Sequence, residues 1–470
     1  MRARDAVRVL FVGLVVASAF AVATGYLSAS AETSDGRPTF DAEPRDDITV
    51  VATDSNTWLG EESEGPRARA ELVAFAPNGS TLYYNDSHTR YWDVDPVPNT
   101  THSVMYVAAQ HLSEDECSAT TVCTRNVVER ANLSTGELER VYSRITPGKH
   151  STRWHDADRL GDERLVVADI YRDRVFVVNT TTDMVEWEWD AQRDFSLSSG
   201  GPYPEDWTHL NDVEVLDDGT IMVSMRNQDR VVFLDREEGV VENRTLGNEN
   251  DYDVLYEQHN PDYIPEENGG PAVLVGDSEN NRVVEYQRTG ENETGAWQWD
   301  QSWVWQDARM QWPRDADRLP NGNTLITDSN GNRVFEVDES GDIVWSVDIA
   351  FPYEAERLDT GDESEGGPAA SEADLESNRG GGGDGEADAA TREPTADSGV
   401  LDRTWLVVKG LLPGRIANSV MYVTPIWMGG GELVALAALA LVVLVWVGAE
   451  AYWSSWSASV RWPVSISRRR

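Results

Sequence analysis

Lysine is almost missing from this chain. Of 39 basic residues only Lys149 and Lys409 are lysine, and 82 acidic residues set the formal net charge at −43. Nucleic-acid binding needs Lys/Arg stripes that replace counterions along the phosphates, so a nucleic-acid partner is excluded. An acidic surface of this density keeps a folded chain hydrated in concentrated salt, where charges are screened, and predicts a halophilic, haloarchaeal source. Cysteine is nearly as scarce. Cys117 and Cys123 alone are too few for a disulfide-rich scaffold. Outside the cell they would close one small clip. The rival reading, a metal pair, has only His111 nearby, whereas structural zinc wants four ligands. Helical periodicity is missing from the middle of the chain, which argues against a helical solenoid. Apolar content is ordinary, so the chain as a whole is not disordered.

What is present is a repeat. HDADRLGDERLVVADIYRDRVFVVN begins at His155 and DWTHLNDVEVLDDGTIMVSMRNQDRVVFLD at Asp206. HNPDYIPEENGGPAVLVGDSENNRVVEYQ begins at His259 and RDADRLPNGNTLITDSNGNRVFEVD at Arg314. The lead residues His155, His209, His259 and Arg314 recur at intervals of about 50 residues, a period of radial or solenoid arrays. Each copy runs from a polar lead through a turn to an apolar run, a second polar turn ending in Arg-Val, and another alternating run. Short β-rich runs between turn signals read as antiparallel strands. With about four strands per unit they predict an all-β fold, a β-propeller of six blades over residues 47–352.

Only two apolar runs are long. Arg2, Arg4 and Arg8 precede VLFVGLVVASAFAVATGYL, so residues 1–31 read as a signal peptide or an N-terminal membrane anchor. Residues 432–453 read as a transmembrane helix flanked by aromatic belts, Trp427 on one side and Tyr452, Trp453 and Trp456 on the other. The basic tail, 454–470, then belongs in the cytoplasm and the propeller outside. Seven glycosylation sequons (Asn78, Asn85, Asn99, Asn132, Asn179, Asn243 and Asn292) fall in the middle region. Residues 359–400, rich in Gly, Glu, Asp, Ala and Ser, have almost no large apolar side chain and predict a disordered acidic spacer. Residues 401–430 regain apolar character as a juxtamembrane segment.

A propeller gathers equivalent positions of its blades around one axis. Three of the chain's seven histidines stand at the lead register, which aims His155, His209 and His259 at one axial mouth. The competing reading is that they satisfy backbone groups at blade ends. Arg226 takes the place of Ile170, Ser278 and Ser329 in the other copies, and a departure from a repeat marks a candidate functional position. Arg174, Arg230, Arg282 and Arg333 recur in every copy and read as structural, bonding between blades. A three-histidine metal site is disfavoured by the neighbouring Arg226 cation. Imidazoles beside a guanidinium suit transfer of an anionic group, one attacking as nucleophile, another moving a proton, the arginine holding oxygens.

DWTHLND followed by SMRNQ resembles the His-x-Asn and Ser-x-Arg motifs of the PAPS-independent bacterial aryl sulfotransferases. Gln258-His259 followed by GDSENNR is similar to their Gln-His and Asp-Asn-Gly segments. The resemblance spans about Lys149 to Ile349. It implies a propeller enzyme that moves a sulfuryl group, without a cofactor, from a phenolic sulfate ester to a phenol. His259 is then the transiently sulfated nucleophile, with His209, Asn211 and Arg226 around the sulfuryl group, His155 matching a further family histidine, and Arg314 as a further substrate-binding residue. The membrane span and acidic spacer depart from the bacterial pattern, and Asp277-Ser278 replaces the usual Asp-Asn. The alternative function is a non-catalytic, membrane-anchored propeller for binding or envelope assembly, since a fold can keep its motifs while its function drifts.

Overall fold

The described strands pair, almost all antiparallel, into eight sheets in the computed structural model, which describes residues 3–31, 33–34, 37–54, 69–117, 122–149, 152–379, 399–454, 456–459 and 465–468. Six of those sheets are the blades of a propeller. Blade I joins both ends of the propeller. Its inner strand is Pro352–Arg357, and Thr49–Thr53, Leu72–Phe75 and Thr81–Asn85 follow outward. That closure removes the open edge that a linear array would present. Blades II to VI follow in chain order, with inner strands Arg90–Pro96, Trp154–Arg159, Leu210–Val215, His259–Ile264 and Pro313–Arg318. Apolar side chains such as Val166, Val223, Leu274 and Ile326 are buried between blades. The Cys117–Cys123 disulfide is formed and sits where the second strand of blade II turns into the third.

Five of the six inner strands carry acidic residues two apart, and blade V carries Asn260 and Asp262 at the same two levels. In a strand, alternate side chains share a face, so these line the axis as two stacked rings. The upper ring is Asp93, Asp156, Asp212, Asn260, Asp315 and Glu354. The lower ring is Asp95, Asp158, Glu214, Asp262, Asp317 and Glu356. Part of their role is structural. Asp93, Asp315 and Glu354 accept backbone N–H groups of Ala157, Ala355 and Val94 on the next blade at 3.1, 3.1 and 2.7 Å.

Two expectations need correction. The shared partner of Arg174, Arg282 and Arg333 lies within a blade, although Arg333 also reaches Asp307, in the connector from blade V, at 2.7 Å, and Arg282 the Val254 carbonyl, in the connector from blade IV, at 3.0 Å. Each opens a third strand and pairs with the Asp that ends the second strand of its own blade: Asp169 at 3.0 Å, Asp277 at 2.6 Å and Asp328 at 2.9 Å. Buried inter-blade ion pairs come instead from inner-strand arginines, Arg318 to Glu285 and Arg357 to Glu336, both at 3.0 Å. The propeller also does not end at residue 352, and its partner segment, 359–379, is packed rather than disordered. Ala369 and Ala370 are buried, Ala370 N–H donates to Glu285 at 3.0 Å, and Trp303 Nε1 donates to the Glu376 carbonyl at 3.1 Å. Small residues and backbone groups, not apolar bulk, hold this strap, which is why composition misjudged it. Residues 380–398 lie outside the described residues.

Contacts divide the chain into two units. The propeller unit, 40–389, also takes in helix 414–424. The other holds the terminal helices Ala3–Ala31 and Gly430–Trp453, both long and apolar enough to cross a membrane. These two pack on one another, with Phe11 and Trp446 rings 5.9 Å apart. Helix Val400–Lys409 belongs with them. The 401–430 segment therefore splits between the units. Tail residues Trp456–Ser459 and Ser465–Arg468 form a short hairpin.

Candidate functional site

The strand register rearranges the expected lead positions. A bulge opens each inner strand of blades III, IV, V and VI. Counted from the acidic rings, His155, Asn211, His259 and Arg314 are equivalent, and Trp92 and Tyr353 complete that circle. His209 is not a member. It stands two positions earlier, level with Arg153, Glu257, Trp312 and Phe351. At that level His209, Glu257, Trp312 and Phe351 adopt left-handed backbone, with φ of 44°, 47°, 58° and 51°. Non-glycine residues pay for that region with strain, and such residues cluster at ligand sites. Here the kink lifts the residue out of the strand face into the mouth of the channel.

The two levels enclose a cavity of about 420 Å³. His209, Arg226, His259, Trp312 and Arg314 line it from the blades. Helix Gly414–Val423 covers one side with Arg415, Asn418 and Tyr422. A Cβ on Gly414 would meet the Glu279 carbonyl at 2.4 Å, so only glycine lets the helix start that close to blade V. Asn418 Nδ2 then donates to Glu279 at 3.0 Å, and the Tyr422 ring lies edge-on to Trp312 at 5.4 Å.

Each imidazole is held by a different partner. His259 Nδ1 is 2.8 Å from Ser278 Oγ, and that hydroxyl donates to the Pro313 carbonyl at 2.7 Å. A hydroxyl has one hydrogen, so Ser278 must accept from His259 Nδ1–H, which leaves the Nε2 lone pair free. His209 Nδ1 donates to Asp206 at 2.7 Å. His155 is held at both nitrogens: Arg153 Nε donates to Nε2 at 2.6 Å, so Nδ1–H donates to the Tyr353 hydroxyl at 2.6 Å. Its ring stacks on Trp92 at 4.9 Å and meets His209 edge-on at 5.3 Å. His155 thus packs behind the cavity wall rather than lining it. Asn211 also lies behind the wall, its Nδ2 donating to the Gln258 carbonyl at 3.1 Å, beside the His259 peptide.

Burial keeps these rings neutral. Desolvation, then Arg314 and Arg226, hold His259 well below the ordinary imidazole range. Desolvation and Arg153 do the same to His155. His209 is lowered to about 4 by desolvation, against the opposing pull of Asp206. A neutral imidazole is the nucleophilic and basic form.

The arginines differ in what they already hold. Arg226 Nη2 is bound to Glu257, which also receives Arg415 at 3.0 Å, and Arg226 Nη1 donates to Asn227 at 2.8 Å. Its Nε, although buried, meets no acceptor among the described residues. Arg314 is barer still. It is only 5 % exposed, its Nε and Nη1 are buried without an acceptor among the described residues, and it rests on Tyr353 and Trp312 at 4.3 and 4.5 Å. Aromatic faces stabilise a guanidinium but accept no directed hydrogen bonds. Gly276 lets blade VI come this near, since a Cβ there would meet the Arg314 carbonyl carbon at 2.9 Å.

Sequence reasoning therefore missed Tyr353, Arg153, Trp312, Asp206 and the helix residues. Tyr353 was within reach: PYEAER repeats the acidic alternation of PRDADR. Nothing in the sequence of Gly414–Val423 marks it as part of a propeller mouth.

No curated protein matches the chain. Solved structures similar to it include the periplasmic gluconolactonase PpgL of Pseudomonas aeruginosa, at 12% identity over 67% of this chain and 99% of that one, TM-score 0.39. A putative 6-phosphogluconolactonase from Bacteroides uniformis is 12% identical over 67% and 99%, TM-score 0.40. Virginiamycin B lyase of Staphylococcus aureus is 7% identical over 67% and 88%, TM-score 0.36. In sequence, residues 168–350, from the second strand of blade III through blade VI, match the family model of Arylsulfotransferase (ASST).

Proposed function

We propose that the protein is an aryl sulfotransferase-like enzyme that moves a sulfuryl group from a phenolic sulfate ester to a phenol through a sulfohistidine at His259. One observation carries this reading: Arg314, a buried guanidinium with unpaired N–H donors, shares a small cavity with an imidazole whose Nδ1–H is fixed by Ser278. An unsatisfied buried cation is costly unless an anion completes it. The family match over blades III to VI supports a sulfuryl group as that anion.

In the first half-reaction His259 Nε2 attacks the ester sulfur. The S–O bond to the aryl group breaks, and the phenoxide departs, taking a proton from water at the mouth. Arg314 and the free Nε edge of Arg226 bind sulfuryl oxygens through charge-assisted hydrogen bonds, and the proton on His259 Nδ1 stays against Ser278. In the second, His209 Nε2 takes the proton of the acceptor hydroxyl, whose oxygen attacks sulfur as the N–S bond breaks. His209 then returns its proton to water. Asp206 holds His209 in the tautomer that can accept. Arg153 and Tyr353 fix His155, which supports the His209 ring from behind. Helix Gly414–Val423 would set the reach of the aromatic groups.

The setting is part of the proposal. The two apolar helices would anchor the propeller, and the disulfide suits an oxidising, extracellular side. Glycosylation at the sequons and a high-salt habitat fit the same placement. The test is turnover of a chromogenic aryl sulfate with a phenol acceptor by the full-length protein in detergent, across a range of KCl. Mass spectrometry after donor alone should find one added sulfuryl group on His259. Absence of both turnover and adduct would leave the non-catalytic propeller as the better reading.

A further inference from the structure

The opposite end of the axial channel is built for the other sign of charge. A second cavity of about 500 Å³ opens there. Among the described residues, ten carboxylate side chains line it against a single guanidinium, Arg159, which is already bound to Asp362 at 3.1 Å. The rings above have no basic side chain of their own to answer them. Arg318, the nearest on blade VI, is taken by Glu285 and by the Pro368 carbonyl at 2.9 Å. A mouth of this kind draws in cations.

Behind its wall, where Glu363 lines it, three carboxylates converge. One oxygen each of Asp262, Asp317 and Glu363 lies within 4.8 Å of the other two. Two oxygens bound to the same calcium ion at about 2.3–2.6 Å can be at most roughly 5 Å apart, so this spacing admits a shared ion. Asp262 and Asp317 are 0 and 2 % exposed, and Asp262 Oδ1 and Asp317 Oδ2 meet no donor among the described residues. Unpartnered acceptors buried this deeply need a counter-group. Asp262 Oδ2 is already fixed by the Ser364 hydroxyl, and Ser364 Oγ accepts the Arg318 N–H at 2.7 Å. The free oxygen is thus held in place by the partner of its twin. Asn260 Oδ1, one strand-pleat above, is also buried without a donor, adding a neutral oxygen on the same wall.

We propose that this lower channel is a divalent-cation site, bound by Asp262 on blade V, Asp317 on blade VI and Glu363 on the strap. All the donors are hard oxygens with no imidazole or thiolate among them, which selects calcium over zinc or copper. Because its ligands come from two blades and the strap, the ion would tie the segment after the last inner strand to the propeller floor. Nothing in sulfuryl transfer requires it, so site and activity can fail separately.

The experiment is calorimetric titration of calcium into chelator-stripped full-length protein in detergent, with metal content and thermal unfolding measured on the same samples. One saturable calcium per chain is expected, with a melting temperature that rises with calcium concentration. The double variant Asp262→Asn/Asp317→Asn should bind at least 10-fold more weakly and lose that rise, and Glu363→Gln, on the strap, should weaken binding without perturbing the blades. Asp217→Asn, at the cavity rim, should bind as the unaltered protein does. Absence of saturable binding, or binding that survives both the double variant and Glu363→Gln, would overturn the site.

Discussion

The two mouths of one channel make opposite uses of burial. At one, neutral imidazoles and under-paired guanidiniums share a cavity. At the other, carboxylates from every blade face each other with almost no base. Both are lined from the same inner strands, three to five residues apart. The backbone of a propeller does not set the sign of its axis. The residue placed at each level does, and desolvation magnifies the choice, because a charge buried without a partner is costly in either sign.

The sharpest way to break that contrast is at the proposed nucleophile. His259→Ala should lower turnover by about 10³-fold or more while leaving the fold intact, as loss of a covalent catalyst does. If an unchanged rate were measured with a chromogenic sulfate, the histidine- and arginine-lined mouth would not be a sulfuryl-transfer site. Arg314→Met keeps the aromatic stacking and removes the charge. It should cost about 10²-fold in kcat/KM, on the scale of one charge-assisted donor to a transition-state oxygen, with Arg314→Lys recovering part. Ser278→Ala frees the His259 ring to change tautomer. It should reduce kcat by roughly 10-fold with little change in KM, a split that steady-state kinetics reads directly.

The smallest expected effect concerns pH, and there the two ends have opposite signs. His209 titrates at about 4 in the folded protein against 6.5 ordinarily, so it contributes stability above pH 6.5 that is lost as pH falls towards 4. Burial raises Asp156 to about 7 and Asp158 to about 6. Their contribution is present below pH 3.8 and lost as pH rises through 6 to 7. Melting temperatures across pH 3 to 9 in chelator should fall away on both sides. Asp156→Asn should flatten the alkaline side by a few degrees and leave aryl sulfate turnover unchanged. A slope unaffected by that variant would mean the upper ring is not charged by rising pH.

Much of this was legible in the chain. Four copies with alternating apolar runs imposed strands, because period-2 alternation fits nothing else, and their spacing implied blades. The candidates His209, Arg226, His259 and Arg314 all line one cavity. What misled was register. His209 looked equivalent to His155 because both are histidines at the head of a copy, yet a bulge and a left-handed kink separate them by two positions. The arginines at each third strand look like inter-blade ties because they recur, yet the partner they share is the Asp of their own blade, and only Arg282 and Arg333 also reach a connector among the described residues. The strap after Arg357 looked unfoldable by composition, although hydrogen bonds to buried Glu285 and Trp303 order it. The acidic alternation was in plain view and went unused, since each carboxylate pair reads locally as a polar strand face.

By itself the sequence determined the strands, the radial repeat, the apolar terminal helices and the shortage of lysine, all of which follow from local pattern and composition. Tertiary structure alone decided which positions meet at the axis, which nitrogen of His259 stays free, and that a helix sixty residues beyond the last blade closes one side of the mouth. Those outcomes depend on bulges, hydroxyl geometry and closure of a ring, and none of them leaves a period in the chain to be read.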